Sequence, residues 1–106
     1  MNVRPLSAET EKDAFENLAL QYKALADPKR LEILNTICRK NSACVCDLTE
    51  VLDLPQSKLS YHLKILLNAR LLNKETKGTW SFYSINQKEM NRLISNQICN
   101  VITPSC

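Results

Sequence analysis

The chain has 106 residues, 44% of them apolar, with one Gly, four Pro and few aromatics. That composition suits one domain whose core is Leu, Ile and Val packed as helices, and excludes a low-complexity or linker-dominated chain. Fourteen Lys and Arg against eleven Asp and Glu leave a net charge of +3, too mild to identify a nucleic-acid binder by itself.

No apolar run approaches the ~18 residues of a membrane span, and the polar stretch from Met1 to Asp13 shows no leader pattern, so the expected compartment is the cytoplasm. Five Cys, an odd number, in a reducing compartment point to metal binding or redox chemistry before disulfides. Charge is clustered. Glu9, Glu11, Asp13 and Glu16 crowd the beginning, whereas Lys58, Lys64, Arg70, Lys74 and Lys77 gather in the middle.

Ala14, Phe15, Leu18 and Tyr22 recur at helical spacing, which predicts a first helix over 9–24. Asp27 followed by Pro28 reads as an N-cap and a first-turn proline, opening a second helix with Leu31, Leu34, Ile37 and Cys38 inward. It ends at the polar run Arg39 to Ser42. Ala43 to Cys46 reads as a short extended stretch. Asp47 then reads as the N-cap of a brief third helix with Glu50 at capping-box spacing and Leu48, Val51 and Leu52 as its stripe. Leu54-Pro55 breaks that helix, and a fourth follows over 56–69 with Leu59, Leu63, Leu66 and Leu67 inward. Two extended segments, 71–77 and 79–85, flank Gly78, whose freedom at positive φ suits a tight turn. A last helix is expected over 87–99, with Met90, Leu93, Ile94 and Ile98 on one face.

The expected fold class is mainly α with a β-hairpin: a single winged helix-turn-helix domain over 1–106, with flexible ends at 1–8 and 100–106. In such a unit a short helix braces the next one so that its outer face enters the major groove. Gln56, Ser57, Lys58, Ser60, Tyr61 and Lys64 fall on that outer face. Gln has the donor–acceptor pair that reads adenine, Ser and Tyr reach bases or phosphates, and Lys58 and Lys64 suit phosphates. Lys74, Lys77 and Thr79 on the hairpin would add salt-dependent affinity along the backbone. His62, the only histidine, falls on the inner or boundary face and reads as structural.

These pieces together look like a known pattern. The run Ala26-Asp27-Pro28-Lys29-Arg30-Leu31, then Cys44-Val45-Cys46-Asp47-Leu48, then Gln56-Ser57-Lys58-Leu59-Ser60-Tyr61-His62-Leu63, and finally Lys77-Gly78-Thr79-Trp80-Ser81-Phe82-Tyr83 resembles the ArsR/SmtB family of metal-responsive repressors, its arsenic-responsive branch in particular. The resemblance spans roughly residues 20 to 98. It implies a homodimer that holds pseudo-palindromic operator DNA when metal-free and releases it on metal binding. The first and last helices, each with an apolar stripe that a small domain cannot cover, are the expected dimer surface, setting two recognition helices about 34 Å apart.

Cys44 and Cys46 lie two residues apart, and in an extended segment such positions project to the same side, so both sulfurs can reach one ion. Thiolates select soft ions. Trivalent arsenic or antimony takes three sulfurs in a pyramid, whereas zinc takes four ligands and often His. The last helix offers Gln87, Glu89 and Asn91, which argues against the zinc site that other members of the family carry there. The resemblance also implies a third cysteine one turn further on, where this chain has Thr49. The remaining candidates for a third ligand are Cys99 and Cys106, from the same chain or its partner, while Cys38 reads as core.

The expected function is a repressor with arsenite or antimonite as inducer and no organic cofactor. The alternatives are a thiol redox-responsive repressor on the same fold and a cytosolic metal-binding protein that does not bind DNA. An enzyme is not expected: the chain has no second histidine, no nucleophile–base pair and no phosphate-cradling glycine loop.

Overall fold

Asp27 punctuates the beginning of the fold. The computed structural model describes residues 8–93, with side chains from residue 12 onward. Helix α1 runs over Ala8–Leu25 and α2 over Pro28–Lys40. Between them the Asp27 carboxylate accepts the backbone N–H groups of Lys29 (2.8 Å) and Arg30 (3.1 Å), and Pro28 sits where a missing N–H costs nothing. Asn41, at φ +64°, closes α2 and donates its N–H to the Cys38 carbonyl at 3.1 Å. Ile33, Leu34, Ile37 and Cys38 are buried on α2, so Ile33 joins the expected face and Leu31 lies at its margin.

The next stretch departs from expectation. Only Ala43–Cys44 is extended, as strand β1, and helix α3 already begins at Val45, spanning Val45–Leu52. Cys44 is its N-cap, and Asp47 sits three residues on, accepting the Cys44 N–H at 3.3 Å. Asp47 therefore acts in the first turn, where a carboxylate complements the helix dipole, and the expected Asp47–Glu50 capping box does not form. Within this eight-residue helix the core takes Leu48 and, at its margin, Leu52. Val51, expected inward, is 55% exposed.

Asp53 turns the chain at φ +52°, and α4 follows over Gln56–Asn68. Leu59, Leu63 and Leu66 are fully buried, each contributing about 1.5–3 kcal/mol by leaving water. Arg70 takes the left-handed conformation at φ +63°, the Leu71 N–H reaches back to the Leu66 carbonyl at 3.0 Å, and Asn86 Nδ2 donates to the Arg70 carbonyl at 2.9 Å. Strands β2 (Leu72–Lys77) and β3 (Trp80–Ile85) form the wing around Gly78 at φ +63°, and α5 covers Gln87–Leu93. The remainder of the expected last helix, including Ile94 and Ile98, and the expected flexible ends lie outside the described residues.

The sheet has three strands rather than two, ordered β1-β3-β2 and antiparallel throughout. Ala43 faces Tyr83 and Cys44 faces Phe82, which ties the cysteine segment to the wing. A buried Gln21 pins the opposite side, donating Nε2 to the Ala69 carbonyl (3.0 Å) and to Glu89 Oε1 (2.9 Å), so α1 is locked to the end of α4 and to α5. Phe15 (67%) and Tyr22 (52%) of α1 stay exposed, leaving an apolar stripe on that helix.

Candidate metal centre and nucleic-acid interface

The two sides of α4 separate as its periodicity predicts. Gln56, Ser57, Lys58, Ser60, Tyr61, Lys64 and Asn68 are all exposed, opposite the buried leucines. Pro55 caps the helix without a side-chain hydrogen bond, so the first N–H groups of α4 remain open and carry the positive end of its dipole. Such an end attracts phosphate. On the wing, Lys74 and Lys77 are exposed, with Nζ atoms 6.0 Å from the Tyr83 ring centre and 5.8 Å from that of Phe82. Lys77 also meets Glu75 at 3.2 Å, a solvated pair of little energetic weight.

His62 sits at the boundary of α4, as its sequence position suggests. Its Nδ1 lies 3.1 Å from Arg30 Nη1, and a guanidinium has only donors, so Nδ1 accepts and the ring proton resides on Nε2. Arg30 in turn donates to the carbonyls of Ala24 (2.7 Å) and Lys23 (3.2 Å), anchoring α4 to the junction of α1 and α2. Burial holds the imidazole pKa below the usual 6.5, opposed by the Asp27 carboxylate and reinforced by the Arg30 cation. Asp27 itself titrates below 3.8, chiefly because the Arg30 backbone N–H bonds its charged form.

The thiol pair is assembled across a helix start rather than along a strand. Cys44, 6% exposed, is the N-cap of α3, and Cys46 stands exposed in its first turn. Their Cα atoms are 5.4 Å apart and the two sulfurs are joined as a disulfide. Asp47 adds a carboxylate, and the donor atoms of Cys44, Cys46 and Asp47 lie within 4.8 Å of one another. Thr49 stands on the same rim, its hydroxyl donating to the Cys46 carbonyl at 3.0 Å. Cys38 is buried on the core side of α2. Cys99 and Cys106 lie outside the described residues.

A cleft of about 440 Å³ opens over the thiols. Its walls are Cys44, Val45, Cys46 and Thr49 from β1 and α3, Gln56 from the first position of α4, and Thr79, Trp80 and Ser81 from the wing. Sequence reasoning gave functional roles to Cys44, Cys46 and Gln56, and to Thr79 as a DNA-backbone contact of the wing. It named Trp80 only as part of the run Lys77 to Tyr83 in the expected hairpin and missed that the wing closes the cleft. The one available signal was the pairing of Ala43 and Cys44 with β3, and a two-residue strand leaves no alternation to detect.

Known proteins resemble this chain in sequence and in fold. The family described as bacterial regulatory protein, arsR family, matches residues 27–74. The arsenical resistance operon repressor of Bacillus subtilis (strain 168) is 54% identical over 91 residues, covering 86% of this chain and 87% of that one. Among solved structures, NolR from Sinorhizobium fredii superposes with a TM-score of 0.68 at 30% identity, covering 98% of this chain and 100% of the other. The homodimeric winged helix-turn-helix domain of Mb0332 from Mycobacterium bovis reaches a TM-score of 0.73 at 23% identity, covering 86% and 82%, a likeness of fold. With the family matched over residues 27–74 and a relative 54% identical over most of both chains, the chain belongs to the arsR family of bacterial regulatory proteins and has a winged helix-turn-helix fold.

Proposed function

We propose that the chain is a homodimeric transcriptional repressor that binds operator DNA through α4 and the wing, and releases it when Cys44 and Cys46 bind arsenite or antimonite. The observation that carries this reading is the cleft in which two thiols, the first residue of the recognition helix and the wing tip share one wall-to-wall space. The name of the Bacillus subtilis relative supports an arsenic-type inducer. The donor set fits: two sulfurs at one point favour a soft centre, and the single histidine is committed to Arg30. A small-molecule thiol reductant first opens the Cys44–Cys46 disulfide, itself becoming a disulfide, and the two freed thiols then displace hydroxyls of arsenous acid as water with arsenic still trivalent. Cys99 or Cys106, from either subunit, is the proposed third sulfur, since Thr49 presents an oxygen.

Gln56, Ser57, Lys58, Ser60, Tyr61 and Lys64 are the proposed groove residues, with Lys74 and Lys77 on the flanking phosphates. The exposed Phe15, Leu18 and Tyr22 of α1 supply the proposed dimer surface, and the homodimeric Mb0332 domain supports it. A cytoplasmic location accords with this role, and among the described residues no helix is long and apolar enough to cross a membrane. No catalytic step enters the reading. Opening the disulfide and spreading the two sulfurs around one ion shifts the start of α3, and with it the helix that α3 braces. A hundredfold loss of operator affinity asks for about 2.7 kcal/mol of coupling, within the range such switches deliver.

Operator binding measured by fluorescence anisotropy tests it. Cys44→Ser and Cys46→Ser proteins are expected to bind operator as the parent does and to ignore arsenite. Full arsenite response in either variant rules out this site.

One observation favours a second reading, a thiol redox switch: the Cys44–Cys46 disulfide present in the structure. Release of operator by peroxide, reversed by dithiothreitol, in a protein indifferent to arsenite would select it. Arsenite binding by a protein with no affinity for any duplex would instead select a metal-binding protein outside gene regulation.

A further inference from the structure

Trp80 is the only tryptophan in the chain, and at 57% exposure it contributes little to the core. Its place explains it better than its burial does. It opens β3 opposite Lys77, and Phe82, two residues on, faces Cys44 across the β1–β3 ladder. Side chains two apart on a strand, and directly opposite on paired strands, share one face of the sheet. Cys44, Phe82 and Trp80 thus line one face, while Tyr83 and Ala43 turn into the core on the other. The indole forms the wing-side wall of the thiol cleft, across from Cys46 and Gln56.

We propose that Trp80 is the positioning residue that transmits occupancy of the cysteine cleft to the wing. The proposal rests on the Cys44–Cys46 reading and adds a second route to the one through α3 and α4. A thiolate-bound soft centre is polarisable and weakly hydrated, and an aromatic face packs favourably against such sulfur-rich surfaces. With the cleft occupied, Trp80 closes on the new apolar contents. Because Trp80 pairs with Lys77 at the end of the β2–β3 ladder, that closure draws the wing tip, and the lysines it carries, away from the line of the DNA backbone. Trp80 is not a ligand: it donates nothing to the ion and serves as the surface on which the wing settles.

The full chain carries its own reporter, since all indole emission comes from Trp80. Arsenite is expected to change the emission of the parent protein with the same midpoint as its loss of free thiols, and to leave the emission of Cys46→Ser unchanged. Trp80→Ala is expected to take up arsenite within about twofold of the parent by thiol titration. The ratio of its operator affinities without and with arsenite should fall at least tenfold, whatever happens to the affinity itself. Trp80→Phe, which keeps an aromatic wall, should retain most of that ratio. An unchanged ratio in Trp80→Ala overturns the proposal. So does silent emission in a parent protein whose thiols have demonstrably bound arsenite. If Cys46→Ser still releases operator with arsenite, the underlying thiol reading has failed, a result distinct from either.

Discussion

In α4 one thirteen-residue segment carries two tasks on two sides, with Leu59, Leu63 and Leu66 against the core and Gln56, Ser57, Ser60, Tyr61 and Lys64 outward. The cysteine cleft beside it takes its walls from β1, α3, the first residue of α4 and the turn of the wing, stretches as much as 37 residues apart between Cys44 and Ser81. The helix is a local object stabilised by burial. The cleft is a tertiary object, and its exposed members, Cys46 and Trp80, contribute little to holding the fold. Changes on the two should therefore separate stability from response.

The largest effect belongs to the helix. Leu63→Ala leaves a cavity in a fully buried cluster and should cost about 2–5 kcal/mol, lowering the melting temperature by upwards of ~10 °C and weakening operator binding and arsenite response together. Cys46→Ser, at an exposed position, should stay within about 0.5 kcal/mol of the parent in the same thermal melt while losing the response altogether. A Leu63→Ala protein that melts with the parent, or a Cys46→Ser protein that does not, would erase the distinction.

That distinction also accounts for what was legible in the sequence. Helical spacing exposed both sides of α4, the Asp27-Pro28 cap marked the start of α2 and Gly78 marked the turn of the wing, because each is decided within a turn or two of chain. The start of α3 was placed three residues late, with Asp47 rather than Cys44 as its N-cap. Asp47 has the same preference for a helix start whether it caps or sits at the third position, and only the ladder from Ala43 and Cys44 to β3 fixes which. Pairing across 38 residues, as between Cys44 and Phe82, leaves no periodic trace in a two-residue strand. The thiols were found by their chemistry. Trp80 was not, since its role exists only once the wing folds beside them.

The third sulfur sharpens the cleft side of the comparison at the next level of effect. Phenylarsine oxide already carries one arsenic–carbon bond and so takes two thiols where arsenite takes three. In a Cys99→Ser, Cys106→Ser double variant, arsenite should bind at least tenfold more weakly, about 1.4 kcal/mol, and phenylarsine oxide within about twofold of the parent. Isothermal titration with each compound reads the difference. Equal retention of both would move the third donor to Asp47 or Thr49, which already stand at the rim.

Smaller again are the single phosphate contacts on the outer side. Lys58→Gln should reduce the slope of log affinity against log salt by about 0.9, the value of one neutralised phosphate, and weaken specific and nonspecific duplexes alike. Lys77→Gln should do less, because Glu75 at 3.2 Å already answers part of that charge. Reversal of that order in a salt series would mean that the wing, not α4, dominates the backbone contacts.

The smallest effect lies where the two regions meet the rest of the fold, at His62. Arg30 donates to its Nδ1 from a guanidinium held on the Ala24 and Lys23 carbonyls, and Asp27, Lys29 and Lys58 are the other charges that bear on it. The folded-state pKa is depressed below 6.5, so between those two values the unfolded chain binds the more protons. Stability is then complete above pH 6.5 and declines as pH falls toward the folded value, because the protonated ring loses its acceptor and confronts Arg30 with a second cation. Asp27, depressed below 3.8, withdraws its share only at still lower pH, so acidification from pH 7.5 to 5.5 isolates the histidine. Urea denaturation at those two pH values should show the parent losing stability and His62→Gln, whose amide oxygen still accepts from Arg30, losing less. An equal loss in both proteins would place the acid-sensitive contact elsewhere, and α4 would owe its anchorage to the buried leucines alone.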